Sequence, residues 1–251
     1  MKFSNRKLFL VLIAILAAAV WLFVESREEQ SDQADYILAV TWQPAFCEGA
    51  SNKPECRTQQ EGRYDATNLT LHGLWPQPRD NWYCDIGGRL ERLDRDGRWK
   101  QLPKLELSNV LRKQLQQKMP GYMSTLHRHE WIKHGTCMPW EANPETYFEI
   151  SLALLDQVNR SQLGELLRKN IGREIRLSDI VGAMNLEFGQ GAADKLFLKC
   201  HRDGQRTLIY EFRLSLRGDL QEEIDLLALI SSAPKVKRDC RGGIVDPVGL
   251  Q

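Results

Sequence analysis

Residues 129–137 read HEWIKHGTC, a short run that holds four titratable side chains. These are His129, Glu130, Lys133 and His134. If the run is helical, at ~100° per residue all four fall within an arc of about 140°, while Trp131 and Ile132 point away toward a core. Packing alone rarely gathers two imidazoles, an amine and a carboxylate on one helix face. The run therefore predicts a helix that presents a chemical site.

A metal site is the first alternative for this face, because His-Glu also begins the zinc motif H-E-x-x-H. That motif needs two histidines four residues apart on one helix face, whereas His129 and His134 are five apart. Lys133 would also bring a positive charge toward the cation. We therefore predict a site without a metal or any other cofactor.

Acid–base chemistry on a phosphodiester is the second interpretation of the same side chains. Cleavage of RNA beside its 2′-hydroxyl needs a base for that proton, an acid for the leaving 5′-oxygen, and cations near phosphorus. Histidine suits the first two tasks, because its free pKa of ~6.5 allows one ring to be neutral while another is charged. Lysine or a charged histidine suits the third task, and a carboxylate can orient a histidine. A second proton carrier from another segment would complete the site.

Residues 71–76 read LHGLWP and supply that carrier as His72. Gly73 allows substrate or backbone to approach closely, and Trp75 offers a flat face on which a base can stack. Alone this segment is weakly informative, because a single histidine near a strand end is more often structural. Its meaning depends on the second run.

Together, residues 71–76 and 129–137 resemble the two active-site boxes of the ribonuclease T2 family, which comprises secreted acid ribonucleases with periplasmic bacterial members. The similarity extends from residues 36–42 to about Cys240. The resemblance implies an endoribonuclease that cleaves single-stranded RNA without a metal. Its products would be 2′,3′-cyclic phosphates, which the same groups later open to 3′-phosphates.

The resemblance also implies roles for individual residues. His72 and His134 would form the acid–base pair, with His134 as the base of the first step. Glu130 and Lys133 would stabilise the pentacovalent phosphorus. These four residues are the expected catalytic set.

Two further residues are expected to bind substrate. His129 would hold the phosphate and Trp75 would hold a base. Because stacking on Trp75 accepts any base, we expect low base specificity. Trp82 and Tyr83 fit either a base pocket or the core, and His201 has no setting that predicts a role.

Two other functional classes compete with a ribonuclease. An RNA-binding relative could have the fold without catalysis, but all five positions of the catalytic and phosphate-binding set carry competent residues. A metal-dependent hydrolase would lose activity on chelation, which provides an inexpensive test.

Six cysteines follow the N-terminal segment: Cys47, Cys56, Cys84, Cys137, Cys200 and Cys240. An even number in an exported chain predicts three disulfides, and fifteen pairings are open from sequence alone. A zinc site is the weaker alternative, because the chain has no C-x-x-C pair. The family resemblance implies the pairs Cys47–Cys56, Cys84–Cys137 and Cys200–Cys240. The middle pair would hold the two boxes in register.

The N-terminus has a basic start and an uncharged run at residues 8–24, which are typical of a secretory signal. The run has 17 residues, close to the ~20 that span a membrane. We predict that residues 1–34 are a signal peptide, or a signal anchor that tethers the protein to the inner membrane, with a polar linker. Residues 35–251 would form one exported catalytic domain, periplasmic or secreted, that is monomeric.

Charge and local patterning limit the fold and the function class. Lys and Arg total 34 against 33 for Asp and Glu, which argues against a protein that coats long nucleic acid through a global basic field. Strands are predicted at residues 36–42, 68–71, 195–200 and 207–216, and helices at residues 107–119, 147–155, 163–167 and 180–185. Ser178 is predicted to cap the last of these helices, and Asp96-Gly97 to link two short strands within residues 90–100.

The predicted helices and strands follow no regular βαβ alternation, which indicates an α+β fold. The family resemblance adds a central antiparallel sheet with surrounding helices. With 42% hydrophobic residues, a chain of 251 residues can bury one core of its own.

Overall fold

A mainly antiparallel sheet lies at the centre of the fold. The computed structural model describes residues 33–221, 224–237 and 240–250. The strands are β1 (Tyr36–Thr41), β2 (Thr70–Pro76), β3 (Glu174–Arg176), β4 (Leu196–Asp203), β5 (Arg206–Leu216) and β6 (Gly242–Ile244). Their order is β2-β1-β5-β6-β3, and β4 pairs with β5 off this path. The predicted α+β class is confirmed, with one parallel contact between Leu208 of β5 and Ile244 of β6.

A bulge in β2 gives the sheet its first functional feature. Ala39 of β1 pairs with Gly73, whereas the next residue, Val40, pairs with Leu71. His72 is therefore the extra residue of the pair of strands. A bulge bends the strand and re-aims a side chain, so His72 leaves the regular alternation of the sheet. The predicted strand at residues 68–71 thus begins at Thr70 and runs on through the first box.

Helices pack around this sheet. They are α1 (Gln43–Glu48), α2 (Pro54–Arg57), α3 (Gly88–Arg95), α4 (Asn109–Lys118), α5 (Leu126–Lys133), α6 (Pro144–Arg160), α7 (Gln162–Lys169), α8 (Leu177–Phe188) and α9 (Leu226–Ser231). Asn143 caps α6, where its side chain accepts the N–H of Thr146. Tyr147 and Phe148 of α6 are fully buried in the main core. The helices predicted at residues 107–119, 147–155 and 163–167 correspond to α4, α6 and α7.

Residues 90–95 belong to helix α3, so the pair of short strands predicted within residues 90–100 is wrong. Leu93 of α3 packs with Leu102 and Ile132 in a small second core, which favours a helix here. Gly97 has a φ of 69°, a conformation that suits glycine just after a helix end. The turn at Asp96-Gly97 was therefore located correctly, but the flanking segments were assigned wrongly.

The helix predicted at residues 180–185 is confirmed as part of α8, but its predicted cap is wrong. α8 begins at Leu177, so Ser178 lies inside the first turn. The carboxylate of Asp179 instead accepts the backbone N–H of Arg176. Asp179 thus takes the third-residue position of a capping box, in which the side chain reaches back to the N–H of the residue before the helix.

Three disulfides join Cys47 to Cys56, Cys84 to Cys137 and Cys200 to Cys240. The pairing implied by the family resemblance is confirmed. The Cys84–Cys137 bridge lies next to a second link between the same segments, because the N–H of Tyr83 donates to the carbonyl of Lys133 at 3.0 Å. The end of the second box is thus fixed to the loop that follows the first.

The predicted signal peptide or anchor at residues 8–24 lies outside the described residues. It therefore stays a prediction. Among the described residues, no helix combines the length and apolar character needed to cross a membrane.

Candidate active site

His72 projects from the β2 bulge and lies between two carboxylates. Its Nδ1 is 2.6 Å from Oε2 of Glu211 on β5, and its Nε2 is 3.6 Å from Oε1 of Glu130 on α5. Burial lowers the pKa of His72, but the hydrogen bond with Glu211 and the charge of Glu130 outweigh it, so the pKa is raised. Because Nδ1 is engaged by Glu211, Nε2 is the nitrogen that can pass a proton to a ligand.

Glu211 is held by a cation as well as by His72. The Nε of Arg213 donates to Oε1 of Glu211 at 2.7 Å. Burial alone would raise the pKa of Glu211, but the hydrogen bond with His72 and the charges of His72 and Arg213 lower it to about 2. Glu211 therefore stays ionised and favours the charged form of His72.

Glu130 is the fully buried centre of the site. Its Oε2 accepts the indole N–H of Trp75 at 2.9 Å. Its Oε1 has no hydrogen-bond partner within the part of the chain that the structure describes. That oxygen is 3.6 Å from Nε2 of His72 and 3.8 Å from Nε2 of His129. One carboxylate thus serves both predicted boxes.

Gly73 makes this meeting of the boxes sterically possible. A Cβ on Gly73 would lie 2.6 Å from Cδ of Glu130 and 2.7 Å from Nε1 of Trp75. Both distances are shorter than real Cβ contacts. Gly73 does permit a close approach, but the group that approaches is the side-chain carboxylate of Glu130 rather than the predicted substrate or backbone.

His134 directly follows the last residue of α5 and is 5% exposed. The ring centroid of Trp75 lies 5.5 Å away, and that of His129 lies 6.3 Å away. Nδ1 of His134 has no hydrogen-bond partner among the described residues. Burial, followed by the nearby charge of Lys133, lowers the pKa of His134 to about 2. This imidazole is therefore neutral near pH 7.

His129 is fixed by Asp94, a buried residue of α3. Nδ1 of His129 is 2.9 Å from both carboxylate oxygens of Asp94. The imidazole also stacks on Trp99, with ring centroids 4.4 Å apart. Asp94 additionally accepts the hydroxyl of Tyr83 at 2.8 Å. These contacts leave Nε2 of His129 directed toward Glu130.

A cleft of about 540 Å³, which we call the His134 cleft, opens beside His134. Its lining includes Trp75, Trp82, Lys133 and Arg213. Nζ of Lys133 lies 4.6 Å from the centroid of Trp82, and the guanidinium carbon of Arg213 lies 5.0 Å from that of Trp75. Aromatic rings beside cations are suited to a stacked base and its phosphate.

The two residues left open by the sequence have different positions. Trp82 is 38% exposed and lines the His134 cleft. Tyr83 packs instead against the small second core and hydrogen-bonds to Asp94. Only Trp82 is available to a ligand in the cleft.

A second cavity, of about 140 Å³, contains His72 in its wall, and we call it the His72 cavity. Three aromatic residues, Phe46, Trp99 and Tyr210, share that wall with Lys53. The site therefore offers one recess at each of the two histidines.

His129, Glu130 and His134 each have a ligand atom within 4.8 Å of the others, so they could hold a metal ion. His129 directs Nε2 rather than Nδ1 toward this group, because Asp94 takes Nδ1. Lys133 adds a positive charge close by, as its effect on the pKa of His134 shows. The prediction of a metal-free reaction therefore remains to be tested by chelation.

The six residues predicted for the site lie near one another in the structure, whereas sequence reasoning missed the residues that hold them. Glu211, Arg213 and Asp94 had no local signal. Glu211 lies 139 positions from His72, and Asp94 lies 35 positions from His129. Arg213 and Glu211 could have been noticed only as two charges in the otherwise apolar strand pattern at residues 207–216.

Comparison with known proteins adds a family relationship. The sequence profile of the Ribonuclease T2 family matches residues 34–227. Ribonuclease I of Escherichia coli is 27% identical over 236 residues, which is 86% of this chain and 86% of that protein. Ribonuclease 1 of Arabidopsis thaliana is 24% identical over 217 residues, covering 81% and 83% of the two chains.

Solved structures agree at the level of the fold. Trichomaglin, described as an S-like ribonuclease, superposes with a TM-score of 0.55 at 17% identity. The superposition covers 85% of this chain and 98% of trichomaglin. At this identity the likeness concerns architecture alone.

Proposed function

Because the chain belongs to the Ribonuclease T2 family, we propose that it uses His72 and His134 to cleave single-stranded RNA without a metal ion. The chain is a ribonuclease. The observation that carries the proposed roles is that the pKa of His72 is raised while that of His134 is lowered. Transesterification needs one charged and one neutral group at the same pH.

In the first step, His134 takes the proton of the 2′-hydroxyl. The 2′-oxygen then attacks phosphorus as the bond to the 5′-oxygen breaks, and Nε2 of His72 gives its proton to that leaving oxygen. The product is a 2′,3′-cyclic phosphate. The negative charge of a bound phosphate would raise the pKa of His134 toward a range useful for a base, because nearby positive charges help to depress it.

In the second step, the same groups open the cyclic phosphate with reversed roles. His72, now neutral, takes a proton from water as the water oxygen attacks phosphorus. The bond from phosphorus to the 2′-oxygen breaks, and His134, now charged, gives its proton to that oxygen. The product is a 3′-phosphate. The cycle leaves both imidazoles in their starting states, so no cofactor is needed.

Charge on the phosphorus is stabilised from α5. Lys133 provides a cation at the His134 cleft, and His129 provides Nε2 beside Glu130. Glu130 orients both His72 and His129 through its free oxygen. These contacts are fixed before substrate arrives, which favours the transition state over the ground state.

The two recesses take the two nucleosides that flank the scissile bond. Since His72 protonates the leaving oxygen, the leaving nucleoside occupies the His72 cavity. The base on the other side of the bond occupies the His134 cleft, where Trp75 and Trp82 offer ring faces. Stacking of this kind tolerates any base, so we propose low base specificity.

We also propose that the protein works outside the cytoplasm. Three disulfides persist in oxidising compartments such as the periplasm or the exterior. Residues 1–34 would direct export and either be removed or anchor the protein in the inner membrane. Residues 35–251 would be the catalytic domain and act as a monomer.

The test is incubation of the purified protein with mixed RNA in EDTA, with product ends identified by mass. We expect 2′,3′-cyclic phosphates at early times and 3′-phosphates later. His134→Ala should lower the rate by about 10³-fold or more, in line with the loss of a general base, and it also excludes a contaminating nuclease. If both proteins were silent until a divalent metal was added, the proposed mechanism would be wrong.

A further inference from the structure

A third recess shares two lining residues with the His72 cavity, and we call it the Tyr210 pocket. Its volume is about 240 Å³, and its lining includes Phe46, Gly49, Lys199, His201 and Tyr210. No step of the proposed reaction uses it. Its lining nevertheless combines aromatic and basic side chains, as surfaces that bind single-stranded nucleic acid do.

The Tyr210 pocket is continuous with the active site. Phe46 and Tyr210 line both this pocket and the His72 cavity. Their rings stack with centroids 6.3 Å apart and an interplanar angle of 29°. The two rings thus form a shared wall, along which one strand could pass from one recess into the other.

The pocket also places a lysine and a histidine beside these rings. Nζ of Lys199 lies 5.0 Å from the centroid of Tyr210, and the imidazole of His201 lies 6.4 Å from it. Lys199 is exposed and has no carboxylate within ion-pair distance among the described residues. Lys199 is therefore available to a phosphate.

The acidic groups near the pocket lie around Arg206 rather than Lys199, and three carboxylates share that one guanidinium. Glu48, at the end of α1, and Asp203 both pair with Arg206. Asp246 pairs with the same guanidinium at 3.1 Å. Gly49 lies against the imidazole of His201, because a Cβ there would be in ordinary van der Waals contact with that ring at 3.5 Å.

From this arrangement we propose that the Tyr210 pocket binds the nucleotide that follows the leaving nucleoside on its 3′ side. Its base stacks against Tyr210, and Lys199 and His201 hold the phosphate that joins it to the leaving nucleoside. The proposal rests on the proposed function, since the position of the leaving nucleoside fixes the direction of the strand. It makes the enzyme prefer longer RNA to a dinucleotide.

The test uses short DNA oligonucleotides that carry a single ribonucleotide, so that only one bond has a neighbouring 2′-hydroxyl. One substrate is a dinucleotide, a second has one extra nucleotide on the 3′ side, and a third has one on the 5′ side. We expect the 3′ extension to raise kcat/KM about tenfold, in keeping with one stacked base. In the double variant Lys199→Ala/His201→Ala, the ratio of 3′-extended to short substrate should fall several-fold, because the phosphate contacts are lost while the stack on Tyr210 remains.

Lys113→Ala is the matched control, because Lys113 is an exposed lysine of α4 that lines none of the three recesses. It should keep the wild-type ratio. The salt dependence of kcat/KM on the 3′-extended substrate should also weaken in the double variant, by a slope of about 0.7 for one lost phosphate contact.

Each outcome decides one of the two claims. An equal gain from 5′ and 3′ extension, or a gain that is undiminished in the double variant, would overturn the assignment of the pocket while leaving the ribonuclease mechanism intact. Failure to cleave any of the three substrates, the dinucleotide included, would instead overturn the proposed mechanism.

Discussion

The two histidines of the site lie on different kinds of structure and in opposite electrostatic surroundings. His72 lies on a strand bulge and is hydrogen-bonded to the ionised carboxylate of Glu211. His134 follows a helix, is buried, and has Lys133 close by instead of a carboxylate on its Nδ1. A fold can thus hold one imidazole charged and the other neutral by placing a carboxylate on Nδ1 of one ring only.

Apart from the loss of His134 itself, the largest effect should come from Glu130, which lies beside both His72 and His129. Glu130→Gln keeps the size of the side chain and an acceptor for Trp75 but removes the charge beside His72 and His129. We expect kcat to fall by about 10²- to 10³-fold with little change in KM, because the role lies in the transition state. Steady-state kinetics on RNA measures both constants.

Glu165→Gln provides a control for this loss of charge, since Glu165 pairs with Lys169 on the exposed surface of α7. It should leave kcat unchanged. A change of KM alone in Glu130→Gln would show that the carboxylate acts in binding and not in the chemical step.

Removing the carboxylate of Glu211 on β5 should make the charge states of His72 and His134 more alike. Glu211→Gln is expected to lower kcat about tenfold at neutral pH, because the pKa of His72 falls and less of it is charged. The alkaline limb of the pH–rate profile should therefore move to lower pH, and activity should recover in part as the solution is made more acidic.

The same change can be followed directly by NMR titration of His72. A profile of Glu211→Gln that fell uniformly at every pH would indicate a structural defect rather than a positioning role. Asp35, whose carboxylate accepts the N–H of Gly218 far along the chain, gives a comparison variant, Asp35→Asn, that should leave the alkaline limb in place.

A smaller effect on the kinetic constants is expected from Asp94→Asn in helix α3. Asp94 holds Nδ1 of His129, so its loss should weaken phosphate binding and raise KM about fivefold, while kcat changes less. Asp96→Asn, at the exposed end of α3, should change neither constant. Equal losses of kcat and kcat/KM in Asp94→Asn would place His129 in the transition state alone.

The smallest effect concerns stability. The folded pKa of His134, about 2, lies below its unfolded value of ~6.5. The unfolded state therefore binds the proton first, and stability falls as pH drops from 6.5 toward 2, by roughly 2 kcal/mol between pH 6.5 and 5. His72 acts oppositely: its raised pKa stabilises the fold below about 6.5, and that contribution is lost as pH rises through its folded pKa.

Urea unfolding of the wild type and His134→Gln at pH 7 and pH 5 would separate these contributions. The wild type should lose more free energy of unfolding over this interval than the variant. His127, whose pKa burial lowers to about 4, is present in both proteins and cancels in the comparison. Equal losses would mean that His134 is not kept neutral by the fold.

Local patterns predicted much of the secondary structure, because strand and helix periodicity is a property of neighbouring residues. The strand at Tyr36–Thr41 and the helix at Asn109–Lys118 were found in this way. Residues 90–100 were not, since their helix depends on Leu93 reaching Leu102 and Ile132 in a separate small core. Ile132 lies far outside any window in which local periodicity is read.

The proposed reacting groups follow from two short stretches of sequence. The two boxes named His72, His134 and Glu130, and Gly73 marked the place where another group comes close. Which imidazole is charged depends instead on the fold, because Glu211 reaches His72 across the sheet. A pKa depends on burial and on charges within a few ångströms, and these distances are set by folding rather than by position along the chain.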